Sequence, residues 1–227
     1  MYPIGSYQLS KETVLYQNGV LYNKDGSVSE YQGNQKGLLK HAVGALDKVG
    51  SGSAEGRNIL SELQGSDNNF ILQKGSKNSY TPFSTVNAGA NLSEYQNATG
   101  NILGSNGSGG NIFWNPNSKS GGVNLSGGTS CPPYIGLIHE MGHASDSNQG
   151  LLHFGNDYTN VTTGATYQYM HNGVAKREWR AVYRENIVRD QMGIPLRTHY
   201  GVDQSSSPSL PIGTRLLDAN NLPINYR

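Results

Sequence analysis

A chain of 227 residues, 35% hydrophobic and 15% charged, is expected to form one loop-rich globular domain, with or without a small N-terminal annex. Its formal net charge of +1 gives no electrostatic reason to expect nucleic acid or an acidic membrane as partner, and no run of about 18 or more apolar residues offers a transmembrane helix. The single cysteine, Cys131, excludes an internal disulfide and reads as a small packed residue.

The opening residues Met1-Tyr2-Pro3-Ile4-Gly5 have neither a basic region nor a hydrophobic stretch, so no signal peptide is expected there. Residues 12–31 read as short strands punctuated by Asn18-Gly19 and Asp25-Gly26, both strong hairpin signals, with Val14, Tyr16, Val20 and Tyr22 forming the alternation of a half-buried ribbon. This predicts a β annex over 1–34 ahead of a main domain over 35–227. Leu38, Leu39, Ala42, Ala45, Leu46 and Val49 recur at helical spacing and predict a helix over 36–48; 53–63 reads as a second. Segments 69–73, 80–83 and 111–115 read as strands, 86–110 as a long irregular loop, and 122–125 as a partner for the strand at 111–115. Pro132-Pro133 opens a helix over about 134–145, residues 147–172 return to loop or ribbon, and a last helix covers about 174–191. The tail, with Pro195, Pro208, Pro211 and Pro223, is expected to be extended on the surface.

The chemistry is concentrated in Ile138-His139-Glu140-Met141-Gly142-His143-Ala144. Two histidines four apart on a helix project from one face, one turn separating them, so both imidazoles reach one cation. Glu140 follows the first histidine, where its carboxylate can hold a water on the metal and take its proton. Two His, one carboxylate and an open position for water suit zinc, expected as one ion per chain. The flanking residues Leu137, Ile138, Met141, Gly142 and Ala144 are uncharged, as a helix buried in a cleft requires.

A third ligand must come from elsewhere. Asp146 lies seven residues after His139, roughly 10.5 Å along the axis, too far for one unbroken helix to bring all three onto one ion; it is assigned a supporting position. Only Glu178 and Glu185 follow the motif among glutamates, both on the last helix and two turns apart, so one alone can reach the metal. Glu178 is preferred, because Ala181 one turn on lets its helix approach closely. Glu185, with Arg184 beside it and Arg189 one turn on, is assigned to a supporting ion pair. For the donor that stabilises the oxyanion, Tyr200 ranks first in the cluster Arg197, His199 and Tyr200, with Arg197 as support; His171, Tyr167 and Tyr169 stay open alternatives.

On these residues the chain resembles the effector-type zinc metallopeptidases found as C-terminal toxin domains of bacterial Rhs-repeat proteins and as type III secretion effectors. The resemblance rests on Gly110-Asn111-Ile112-Phe113-Trp114-Asn115-Pro116, on the histidine motif through Asp146, on Glu178-Trp179-Arg180-Ala181-Val182-Tyr183-Arg184-Glu185-Asn186 and on Gly193-Ile194-Pro195-Leu196-Arg197-Thr198-His199-Tyr200, covering about 35–201. It implies an α+β zincin-like fold, with a small twisted sheet, an active-site helix and a C-terminal helical part delivering the third ligand. The strand at 111–115 would be the edge beside the cleft, to which an extended peptide adds. It also implies cleavage of a target-cell protein after secretion or translocation within a larger polypeptide, without a signal peptide of its own, and a cognate immunity protein as partner. A catalytically inert zincin-like binding module, and a zinc hydrolase acting on a non-protein amide such as peptidoglycan, stand as alternatives.

Overall fold

The computed structural model describes residues 6–7, 14–23, 30, 32–33, 35–85, 87–89, 107–152, 158–159, 166–167, 170–171, 173–203, 205 and 210–225. A ribbon comes first: β1 (Ser6–Tyr7), β2 (Val14–Gln17) and β3 (Val20–Asn23), in that order and antiparallel. Asn18 and Gly19 both take positive φ, 51° and 83°, the two-residue turn that Asn-Gly specifies. Such a turn pairs Tyr16 with Leu21 and Val14 with Asn23, so the inward face passes from even to odd positions. Val14, Tyr16 and Leu21 are buried, whereas Val20 and Tyr22 are only half-buried, correcting the alternation expected from sequence. The second hairpin signal, Asp25-Gly26, lies outside the described residues.

The main body begins with α1 (Gly37–Gly52) and α2 (Ala54–Gly65). Leu39, Ala42, Leu46 and Val49 of α1 form a buried stripe at spacings of three and four, and Ile59, Leu60 and Leu63 of α2 complete the pair. Ser53 separates the helices in extended conformation and caps α2, accepting from Gly56 N–H at 3.0 Å. The sheet follows: β4 (Phe70–Lys74), β5 (Ser79–Pro82) and β6 (Gly110–Trp114), in the order β4-β6-β5. β4 runs parallel to β6 and β5 antiparallel to it, so the strand expected at the cleft edge is central and β5 is the edge instead. Phe70, Leu72, Ile112 and Trp114 fill the core at alternate positions.

Trp114 Nε1 donates to Pro133 O at 3.0 Å, tying the end of β6 to the start of α3 (Pro133–Asn148). This helix is buried on almost every side, from Ile135 through Ser147. Two short ribbons follow, β7 (Tyr158–Thr159) with β8 (Thr166–Tyr167), and β9 (Met170–His171) with β10 (Val174–Ala175). Then comes α4 (Lys176–Gln191), whose Trp179 and Val182 form a second small core with Val174 and Leu216, leaving its arginine- and glutamate-bearing side to α3. The chain closes with the antiparallel pair β11 (His199–Asp203) and β12 (Leu210–Arg215). The tail is extended at the surface over 211–213, as expected, but it pairs as a hairpin and is anchored just beyond it by buried Leu216 and Leu217. Residues 122–125 do not join the sheet; Asn124 bridges to Arg197, and Thr198 N–H donates to Val123 O at 2.7 Å. Among the described residues this is an α+β fold with four helices and several small sheets, and no helix of it is long and apolar enough to cross a membrane.

Candidate metal centre

His139 and His143 stand one turn apart on α3, ring centroids 4.9 Å apart and edge to face. Both turn Nε2 toward a single carboxylate oxygen: Glu178 Oε2 lies 3.3 Å from Nε2 of His139 and 3.2 Å from Nε2 of His143. One ligand atom of each of these residues lies within 4.8 Å of the others, so the three could hold a metal ion. Glu178 reaches this point from the first turn of α4, because α3 and α4 meet at their smallest residues. A Cβ built on Gly142 would already be 3.4 Å from Ala181 Cα.

Glu185, two turns further on, lies behind His139. Its Oε2 is 3.0 Å from His139 Nδ1, and its Oε1 accepts from Arg189 Nε at 2.7 Å. Arg197 Nη1 also approaches Oε2, at 3.4 Å. The Arg189 pair is the one expected from sequence; the contact with His139 is not legible there, since it depends on how the two helices cross. Arg197 continues to Tyr200, donating from Nη2 to its carbonyl at 2.9 Å and placing the guanidinium 4.9 Å from its ring centroid. Gly122, at φ 69°, clears the path of that side chain, since a Cβ there would collide with Arg197 Nε. Asp146 stays out of the constellation and accepts from Arg180 Nη2 at 2.9 Å. His199 is engaged with Thr198 Oγ1 at 2.9 Å; Tyr169 lies outside the described residues.

The charges explain one another. Burial works against protonation of His139, but hydrogen bonds with Glu178 and Glu185 prevail and lift it to about 10. Burial likewise pushes Glu178 up, yet the two imidazoles hold it well below the usual carboxylate range. Glu185 is also pushed up by burial and held far lower by Arg189, Arg197 and His139. A field that favours positive charge among three convergent donors is one that attracts a cation. Glu140, 6% exposed, goes the other way: burial raises it and the imidazoles only partly offset this, the direction a base needs to accept a proton. Tyr200 is raised by burial and then by the Glu178 carboxylate, which keeps its hydroxyl a donor.

A family model described as an effector protein, Peptidase_M91, matches residues 25–200, a span that takes in both histidines, both glutamates of α4 and Tyr200. The chain belongs to the Peptidase_M91 family of effector proteins. No curated protein matches it. The match begins inside the stretch read as the annex and otherwise spans nearly the 35–201 on which the resemblance rests.

In this Peptidase_M91 effector the constellation opens onto a cleft. Two cavities, of about 180 and about 280 Å³, share Asn78, His139, Glu140 and Tyr200. The smaller runs toward Gly121, Cys131, Ile135 and Arg197, and the larger toward Ser79, Tyr80, Arg177 and Glu178. Asn78, which no sequence signal singles out, is placed there by the turn between β4 and β5 and accepts from Asn115 N–H at 2.8 Å. The donor set fits a zinc ion: two imidazole nitrogens and one carboxylate oxygen, convergent, largely buried and open to a cleft on one side.

Proposed function

We propose that this chain is a zinc-dependent endopeptidase, with His139, His143 and Glu178 holding the metal and Glu140 acting as general base. The observation that carries this reading is the convergence of two Nε2 atoms and one carboxylate oxygen beside a buried glutamate whose pKa is raised. Zinc bound there supplies a Lewis acid that polarises a peptide carbonyl and acidifies a water. Glu140 takes the proton of the attacking water and passes it to the leaving amine. Glu185 orients His139 from behind. Tyr200 offers its hydroxyl to the developing oxyanion, and Arg197 holds it in place.

The substrate strand fits the outer edge of β5. Phe83 N–H donates to Gly109 O, so the antiparallel alternation directs Thr81 toward β6 and turns the N–H and C=O of Tyr80 outward, beside the cleft. Pro82, without an N–H, ends that edge. An extended protein segment adding there passes Asn78 and reaches Glu140. In keeping with an effector, we read the target as a protein of another cell, reached by secretion or translocation, with a cognate immunity protein as partner. We read 1–34 as an annex to the peptidase domain at 35–227.

Zinc content and cleavage of a proteome-derived peptide library, measured together, test the reading. Wild type is expected to hold about one zinc per chain and to cleave; Glu178→Ala is expected to lose both. Retention of stoichiometric zinc by Glu178→Ala removes that residue from the ligand set.

A further inference from the structure

Among the described residues two buried side-chain atoms have no hydrogen-bond partner: His143 Nδ1 and Asp146 Oδ2. Buried polar atoms are rarely left this way, and each one calls for a physical account. These two are complementary. An imidazole that offers Nε2 to a metal carries its proton on Nδ1 and is a donor there; a carboxylate oxygen is an acceptor. They sit three residues apart on α3, where side chains of an α-helix are neighbours. Asp146 also feels the charge of His143, which follows only Arg180 among the charges that favour its ionised form.

The other partners of Asp146 fix its carboxylate. Arg180 Nη2 donates to Oδ1 at 2.9 Å, and Arg180 Nη1 donates to Leu151 O at 2.9 Å, so the guanidinium is anchored to backbone on its far side. The arginine–carboxylate pair is matched behind the other imidazole, where Arg189 grips Glu185 and Glu185 meets His139 Nδ1. We infer that Asp146 is the positioning residue for His143, its Oδ2 accepting the Nδ1–H of the ring and fixing tautomer and orientation while Arg180 holds Oδ1. Each ligand imidazole then has its own carboxylate behind it, and each carboxylate its own arginine from α4. Such outer partners commonly govern metal affinity by about 10- to 100-fold.

This inference rests on the zinc reading, and the test separates the two. Zinc affinity of the full chain is measured by competition with a chromogenic chelator for wild type, Asp146→Ala and Asp146→Asn, with urea unfolding of each in excess chelator. Asp146→Ala is expected to bind zinc about 10- to 100-fold more weakly. Asp146→Asn, whose amide satisfies either His143 or Arg180 but not both, is expected to fall between. In the zinc-loaded wild type, nitrogen-15 spectra should show a protected His143 Nδ1–H proton that Asp146→Ala loses. Wild-type zinc affinity in Asp146→Ala, or an unchanged His143 Nδ1–H signal, overturns the positioning role while leaving the zinc site standing. The same holds for weakening no larger than the loss of stability measured in chelator. A wild type that binds no zinc overturns both.

Discussion

Glu178 and Glu185 share a helix and a charge, and position alone separates their roles. Glu178 meets both Nε2 atoms, whereas Glu185 meets only the outer nitrogen of His139 and is enclosed with Arg189 and Arg197. Removing Glu185 leaves Arg189, fully buried, without its carboxylate, so Glu185→Ala should cost about 3–5 kcal/mol in urea unfolding. Its zinc affinity should drop less than that of Glu178→Ala; the reverse order in a chelator competition exchanges the two assignments. Tyr200→Phe should lower kcat by about 100-fold or more with little change in KM, as loss of a donor felt mainly in the transition state does. Asp146 predicts a pH effect. Burial raises it to about 6 from the ordinary 3.8, against the pull of Arg180 and His143. An acid raised on folding stabilises the fold when protonated, and that contribution is lost as pH rises through about 6. Asp146→Asn cannot titrate. In excess chelator its unfolding free energy relative to wild type should therefore rise by about 2–3 kcal/mol between pH 4 and pH 7; a flat difference would contradict the burial argument.

At the scale of elements, the histidine helix is the most legible part of the sequence, because proline punctuation and the four-residue histidine spacing agree on it, and the glutamate helix is legible from its interleaved charged and apolar residues. The helices run 133–148 and 176–191 against expected spans of about 134–145 and 174–191. What sequence patterns do not encode is pairing. Nothing local places β6 between β4 and β5, or sends residues 122–125 to Arg197 and Thr198 instead of to the sheet. The parity change across Asn18-Gly19 was open to deduction, since a two-residue turn always pairs an even position with an odd one. Of the site, His139, Glu140 and His143 followed from spacing, and Ala181 hinted at which glutamate comes near. The contact of Glu185 with His139 exists only once the helices cross, and Asn78 joins the site only once the turn between β4 and β5 is set beside α3. That crossing is itself testable. Ala181 is fully buried in contact with α3, so Ala181→Leu should separate the helices and weaken zinc binding at least tenfold, although the residue touches no donor.

For the molecule as a whole, the larger core unites the ribbon, α1, α2, the sheet, α3 and Val188 of α4, while the smaller one anchors the opposite side of α4 to the tail. The site lies on the seam between α3 and α4, so a metal bridging them should add to the packing that already joins the two helices. Zinc in excess should raise Tm, and excess chelator should return it to the lower value of the metal-free chain. The two cavities meeting at Glu140 leave room on either side of it, as the proposed cleavage within a chain requires. The most direct measurement is zinc content and peptide-library cleavage for wild type and Glu140→Ala side by side. The variant should retain about one zinc per chain and lose cleavage by several orders of magnitude. Cleavage at the wild-type rate by the zinc-loaded variant would contradict the assignment of Glu140 as the base.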